Sequence, residues 1–252
     1  IHFFCMSLVI FSFSMTILAQ EDETLITNVL IVDGTGSEPY SGSILIKGDV
    51  IISIFQGSSN DLNHHNLVDG MGMVLAPGFL DSHSHFDQGL KAQPYAKAAI
   101  TQGITTIIRG MDGFSGRPDG KDTIVYGDHL SVIEFNDLMK EIPTAVNVAS
   151  FSSHNSIRSV VMRDDFRREA TSLEIEKMSK LVEADMQSGA LGLSTGLEYD
   201  PGIYSSTDEV ITLAKVAAKY GGKYKSHMRS EDRYFWDSVN EIIEIGEKAN
   251  IS

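Results

Sequence analysis

The chain has 252 residues, 42% hydrophobic and 21% charged, a mixture that excludes intrinsic disorder and leaves enough apolar side chain for a large core. Its 34 acidic residues outnumber 20 basic ones for a formal charge of -14, which would repel a phosphate backbone and argues against DNA or RNA as partners.

The chain opens on Ile1 and an apolar, serine-sprinkled run from Phe3 to Ala19, which ends in Ile17-Leu18-Ala19-Gln20 and meets Glu21-Asp22-Glu23. The run reads as a secretory signal over residues 1–20, because about 17 residues is the short end of what spans a bilayer. The basic leader is absent, so the reading frame is expected to start upstream. The mature protein is expected to be secreted or periplasmic, with no stable membrane span once the signal is removed. The single cysteine, Cys5, lies inside this run, so the mature chain has neither a disulfide nor a thiolate to offer a metal.

Residues 24–75 carry short β-rich runs broken by turns: Leu25 to Val32, Ser43 to Ile46 and Val50 to Ile54, punctuated by Asp33-Gly34 and Lys47-Gly48-Asp49. They predict a small β-sheet domain. His64 and His65 follow in a polar connection and, as strand neighbours facing opposite ways, read as solvated. From residue 76 to 252 strands and helices alternate, which predicts parallel strands with helical crossovers. The strands are Met73 to Ala76 as a lead-in, then Ile104 to Ile108, Thr144 to Ala149, Gly189 to Thr195 and Gly222 to His227. Capping boxes are expected at Ser131 with Glu134, Thr171 with Glu174 and Ser206 with Glu209. The helix after Thr171 sets Ile175, Met178, Leu181 and Val182 on one face, as a crossover against a sheet requires. Arg163, Arg167 and Arg168, among Asp164, Asp165 and Glu169, read as a solvated mixed-charge face.

The chemistry gathers at Pro77-Gly78-Phe79-Leu80-Asp81-Ser82-His83-Ser84-His85-Phe86-Asp87. With a strand period of two, His83 and His85 point the same way and can offer two imidazole nitrogens to one ion. In parallel barrels such groups sit where the strand ends.

The segment from Ala76 to His85 resembles the first-strand signature of the amidohydrolase superfamily. The segments Gly189-Ala190-Leu191-Gly192-Leu193-Ser194-Thr195-Gly196-Leu197-Glu198-Tyr199-Asp200-Pro201-Gly202 and Gly221-Gly222-Lys223-Tyr224-Lys225-Ser226-His227-Met228-Arg229-Ser230-Glu231 resemble its D-aminoacylase branch, the N-acyl-D-amino-acid deacylases. The likeness runs from about Thr24 to the last residue. It implies a (β/α)8 TIM barrel preceded by a small β-sandwich, with one or two zinc ions at the barrel mouth. It also implies a small-molecule substrate, an N-acyl-D-amino acid, hydrolysed at its amide to a D-amino acid and a carboxylate. Carried over by position, His83, His85 and His227 match metal ligands. At the second strand, where well-known members place a cysteine, Arg109-Gly110-Met111-Asp112-Gly113 sets Asp112 instead. A carboxylate suits zinc but also manganese or cobalt. Glu198, at the end of the fourth strand, is the second carboxylate candidate, with a salt bridge or a substrate-orienting role as the alternative.

A cation in such a site lowers the pKa of a bound water to about 7 and polarises the amide carbonyl. The general base of this family, an aspartate after the eighth strand, is expected beyond Ser252, because only about five of eight barrel units are spanned. The segment alone is expected to be inactive and poorly soluble. Tyr199 and Arg229 are candidates for the substrate carboxylate, Arg229 by a bidentate pair, and His154 for its carbonyl. The alternatives are a hydantoinase-like or dipeptidase-like enzyme of the same superfamily, or a half barrel that binds metal or a partner without turnover.

Overall fold

The computed structural model describes residues 23–57, 66–115 and 130–252. The signal-like run, Cys5, and the pair His64 and His65 lie outside the described residues. The chain divides into two compact units between Pro77 and Gly78.

The first unit is a mixed sheet of β1 (Glu23–Ile31), β2 (Tyr40–Lys47), β3 (Val50–Gln56), β4 (Asn66–Asp69) and β5 (Val74–Leu75), ordered β3-β2-β1-β4 with β5 also on β1. β1 runs antiparallel to β2, and β2 to β3, while β4 and β5 lie parallel to β1. Alternation along β1 buries Leu25, Val29 and Ile31, and Ile44 of β2 packs on the latter two. The described residues of this unit form one sheet. The lead-in strand differs from expectation. Val74 and Leu75 pair with Leu30 and Ile31, and so close the first unit instead of opening the second. The reason is Pro77-Gly78, which interrupts the chain before the next strand begins at Phe79, ahead of the histidine loop.

The second unit alternates strand and helix: β6 (Phe79–Asp81), α1 (Lys97–Ile100), β7 (Ile104–Arg109), α2 (Val132–Lys140), β8 (Asn147–Ser150), β9 (Ser152–Ser153), α3 (His154–Met162), α4 (Ser172–Gln187), β10 (Gly192–Gly196), α5 (Thr207–Ala218), β11 (Lys223–His227) and α6 (Phe235–Ala249). All pairings are parallel and in chain order, β6-β7-β8 and β9-β10-β11. β8 and β9 are one run that changes partner at Phe151: Phe151 N donates to Arg109 O, and Leu191 N to Ser150 O. The fourth strand starts three residues later than its sequence suggests, because Gly189 (φ 96°) and Ala190, which bonds back to Asp185 O, finish α4.

The core lies between these strands and their helices. Met178, Val182, Leu193, Val210, Leu213, Ala214, Ala217 and Ile245 are essentially sealed from solvent. Each large side chain so buried contributes roughly 1.5–3 kcal/mol at most. Ile175 and Leu181 pack partly buried against the same cluster, as the α4 face requires. Ser131 and Thr171 form complete capping boxes with Glu134 and Glu174. The third box forms only in half. Ser206 accepts from Glu209 N, but the Glu209 carboxylate turns inward to His154 and Arg158. A buried guanidinium requires a buried carboxylate more than the first turn of α5 requires a second cap.

Candidate metal centre

The loop after β6 sorts its residues by side. Ser84 and Asp87 are buried, whereas His83 and His85 keep about half their side-chain surface in solvent. Ser84 N donates to Ile108 O at 3.0 Å, which anchors the loop beside the end of β7 and leaves both imidazoles at its open side. Their rings stand 5.6 Å apart at 69°.

β7 delivers the third group. Beyond Arg109 the chain turns through Gly110 (φ 80°), Met111, Asp112 (φ 54°) and Gly113 (φ 75°). At Gly113 both the positive φ and the space exclude a side chain, since a Cβ would stand 2.3 Å from Asn155 Oδ1. Met111 is buried beneath the turn, and Gly113 N donates to Ser194 Oγ at 3.1 Å. Asp112 thereby points at the two histidines. Its Oδ2 stands 3.2 Å from Nε2 of His83 and 3.2 Å from Nε2 of His85. One ligand atom from each of the three side chains lies within 4.8 Å of the others.

This donor set fits a divalent cation. Ligands about 2.0–2.1 Å from a tetrahedral ion stand about 3.3 Å from one another, close to the separations found. More telling is Asp112 Oδ1, which is buried and has no hydrogen-bond partner among the described residues. A charged oxygen left so is costly unless something else is bound to it.

Beside this trio lies a second group. His227, at the end of β11, places Nε2 2.8 Å from Glu198 Oε2 and 3.7 Å from Glu231 Oε1, and Nδ1 3.1 Å from the Tyr199 hydroxyl. Its Nδ1 is also 4.0 Å from the unpartnered Asp112 Oδ1, so Asp112 stands between both groups. The Tyr199 ring packs against the imidazole at 4.5 Å between centroids, tilted by 43°. Burial, then the charges of Asp112, Glu198 and Glu231, raise the pKa of that phenol, so at neutral pH its hydroxyl is protonated and can donate to His227.

Of the eight site residues read from the sequence, six meet here: His83, His85, Asp112, Glu198, Tyr199 and His227. Two are occupied elsewhere. His154 is fully buried at the start of α3, with Nε2 2.9 Å from Glu209 Oε1. Arg158 joins the same carboxylate and donates to the carbonyls of Pro201, Tyr204, Phe166 and Arg168. The cluster ties the loop that follows β10 to the segment between α3 and α4. Burial pushes the Glu209 carboxyl up, but the hydrogen bonds and charges of His154 and Arg158 outweigh it and hold the group below the ordinary range. Arg229 spends its fork within the fold. It grips both oxygens of Glu241 on α6 and donates to the carbonyls of Ile203 and Ser205. A bidentate pair does form, with Glu241 as the carboxylate.

Two residues at the centre escaped the sequence reading. Glu231 lies four residues past His227 and could have been found from that spacing. Lys225 shares a strand face with His227 and donates to Ser82 O at 2.6 Å, directly before His83; the period of two was its signal.

No protein-family model matches the chain. A D-aminoacylase of Alcaligenes xylosoxydans xylosoxydans is 32% identical over 243 residues, which cover 92% of this chain and 50% of the relative. An N-acyl-D-glutamate deacylase of Bordetella bronchiseptica, solved with zinc and a phosphonate that mimics the tetrahedral intermediate, superposes with a TM-score of 0.83 at 28% identity, covering 92% of this chain and 50% of that one. A D-aminoacylase structure described for its binuclear metal centre gives 0.81 at 28% identity, with 90% and 50% covered. The chain thus spans about half the length of the relatives it matches. Over nearly all of its own length, in sequence and in α/β fold, it belongs to the D-aminoacylase family of the amidohydrolases, the N-acyl-D-amino-acid deacylases.

Proposed function

We propose that this chain carries the metal-binding part of an amidohydrolase that cleaves N-acyl-D-amino acids to a D-amino acid and a carboxylate. The observation that carries the reading is Asp112, with one oxygen shared between His83 and His85 and the other buried without a partner. His83, His85 and Asp112 would hold one divalent ion. Asp112 Oδ1 with His227 and Glu198 would hold a second. Zinc is the expected ion, with manganese and cobalt as alternatives because the donors are imidazole and carboxylate. When bound, such an ion polarises the substrate carbonyl and lowers the pKa of a coordinated water.

The chain's own residues do the rest. Tyr199 orients the His227 ring through its hydroxyl and by ring contact, and 39% of the residue remains exposed, which supports a role in meeting substrate. Glu198 and Glu231 flank the Nε2 of His227 at 2.8 and 3.7 Å and add negative charge on that side of the site. The excess of acidic residues argues against a polyanionic substrate and leaves a small N-acyl amino acid held by a cation as the fitting class. The parallel order of β6 to β11 supports a (β/α)8 barrel as the full architecture, with the first unit belonging to a β-sandwich. The apolar run 3–19 supports export, to be read by sequencing the amino terminus of the extracellular protein.

The test is a panel of N-acyl-D-, N-acyl-L- and cyclic amide substrates given to the whole protein with zinc and with chelator. Metal-dependent hydrolysis of the D series alone supports the proposal. Turnover of cyclic amides instead would move the chain to a hydantoinase-like activity, and turnover unaffected by chelation would refute the metal reading.

A further inference from the structure

Beneath the exposed histidines lies a buried ion pair that the proposed chemistry does not use. Arg109, the last residue of β7, donates from Nε to Asp87 Oδ2 at 2.9 Å and from Nη1 to Ser150 Oγ at 3.5 Å. Its guanidinium lies 3.8 Å over the ring of Phe135 in α2. The side chains of Arg109 and Asp87 are 0% and 3% exposed. Asp87 follows His85 by two residues and Arg109 precedes Asp112 by three, so the pair joins the two segments that carry the trio, one partner on each.

We propose that the Arg109–Asp87 pair is the positioning device of the metal centre: it locks the His83–His85 segment onto the Asp112 segment and thereby sets the affinity of the trio for a divalent cation. The inference rests on reading the trio as a metal site. Between Asp81 and α1 the chain forms turns and no strand, so its register against β7 depends on point contacts, the Ser84–Ile108 backbone bond and Asp87. A spacing of His-x-His-x-Asp would suggest Asp87 as a further ligand. The structure turns it the other way, into the protein and onto Arg109, while its neighbours face solvent. Burying two charges is costly, and apolar residues of equal volume often stabilise as well. What a guanidinium adds is direction: its rigid fork fixes Asp87 and Ser150 together, and its flat face is held by Phe135. Ligands must be held to about 0.5 Å for full affinity, which a turn with few backbone bonds does not achieve alone.

Asp87→Asn and Arg109→Met in the whole protein, with zinc affinity measured by competition against a chelating dye, test the inference. Each is expected to weaken zinc binding about tenfold or more while the near-ultraviolet circular dichroism keeps its folded form. Asp185 is the control, a buried carboxylate of the same unit that accepts from Val132 N and Ser152 Oγ. Asp185→Asn should lower the melting temperature and leave zinc affinity within about twofold, as a merely structural role would. Arg109→Lys keeps the charge without the fork. It should fall between parent and Arg109→Met, and it decides the matter where the other variants do not fold. Parental affinity in every folded variant overturns the proposal. If His83→Ala and Asp112→Asn also bind zinc as the parent does, the reading of the trio has failed, a result distinct from failure of the ion pair.

Discussion

Asp112 is expected to pull stability in opposite directions with and without metal, and Asp112→Asn exposes this. In metal-free protein the carboxylate keeps Oδ1 buried and unpartnered, and an unsatisfied buried group costs about 1–3 kcal/mol, more when charged. Asparagine tolerates the same left-handed backbone (φ 54°) and can still meet His83 and His85, so the exchange removes the charge at little other cost. A net gain of about 1–2 kcal/mol corresponds to a melting temperature higher by about 3–6 °C for a protein of this size. With zinc at a hundredfold over its dissociation constant the parent gains about 2.7 kcal/mol and the variant, lacking the anionic ligand, gains little. The order of stability therefore inverts between chelator and zinc. Thermal melts of both proteins in each condition, with bound metal counted, make the measurement. A variant less stable than the parent in chelator, or an equal rise on adding zinc, would refute the reasoning.

Glu198→Gln and His227→Ala should each lower the bound metal from two ions toward one, counted by elemental analysis, while His83→Ala and Asp112→Asn should lower it further. In competition between equal zinc and manganese or cobalt, the carboxylate at position 112 should narrow zinc's advantage, and Asp112→Cys should widen it because a thiolate is the softer ligand. Glu209→Gln, which leaves Arg158 buried and uncompensated, should cost about 3–5 kcal/mol in denaturant titration. Arg168, and then the Thr171 backbone N–H, hold the Glu174 carboxyl at about 2, below its ordinary 4.5. A depressed carboxylate adds stability that is fully present above pH 4.5 and fades as the pH falls toward 2, so Glu174→Gln should be less stable than the parent at pH 6 and converge on it by pH 2.

Most of this molecule's local structure can be read along the chain. β-branched runs and glycine-marked turns place β1, β3 and β7 closely, and the boxes at Ser131 and Thr171 place two helix starts within a residue. Those signals act over two to four residues, which is the range at which side-chain alternation and capping operate. Partners distant in the chain are another matter. The Val74–Leu75 strand is apolar enough for either unit, and its pairing with β1 is decided by the Pro77-Gly78 break, not by its composition. Ser206 and Glu209 have the spacing of a cap, yet Glu209 answers to Arg158, 51 residues away.

The site divides along the same line. The sequence by itself supplied the candidates: a histidine pair at strand spacing and, through the family resemblance, a third histidine closing β11 and carboxylates after two further strands. Only the tertiary structure decided their use. It set Asp112 between His83 and His85 with one oxygen unpartnered, drew His154 and Arg229 into carboxylate pairs of their own, and placed Arg109 on Asp87 beneath the loop. The physical reason is that coordination and buried charge are settled by distances of about 3 Å between residues tens of positions apart. Such distances follow from how strands pair and helices pack, not from spacing along the chain.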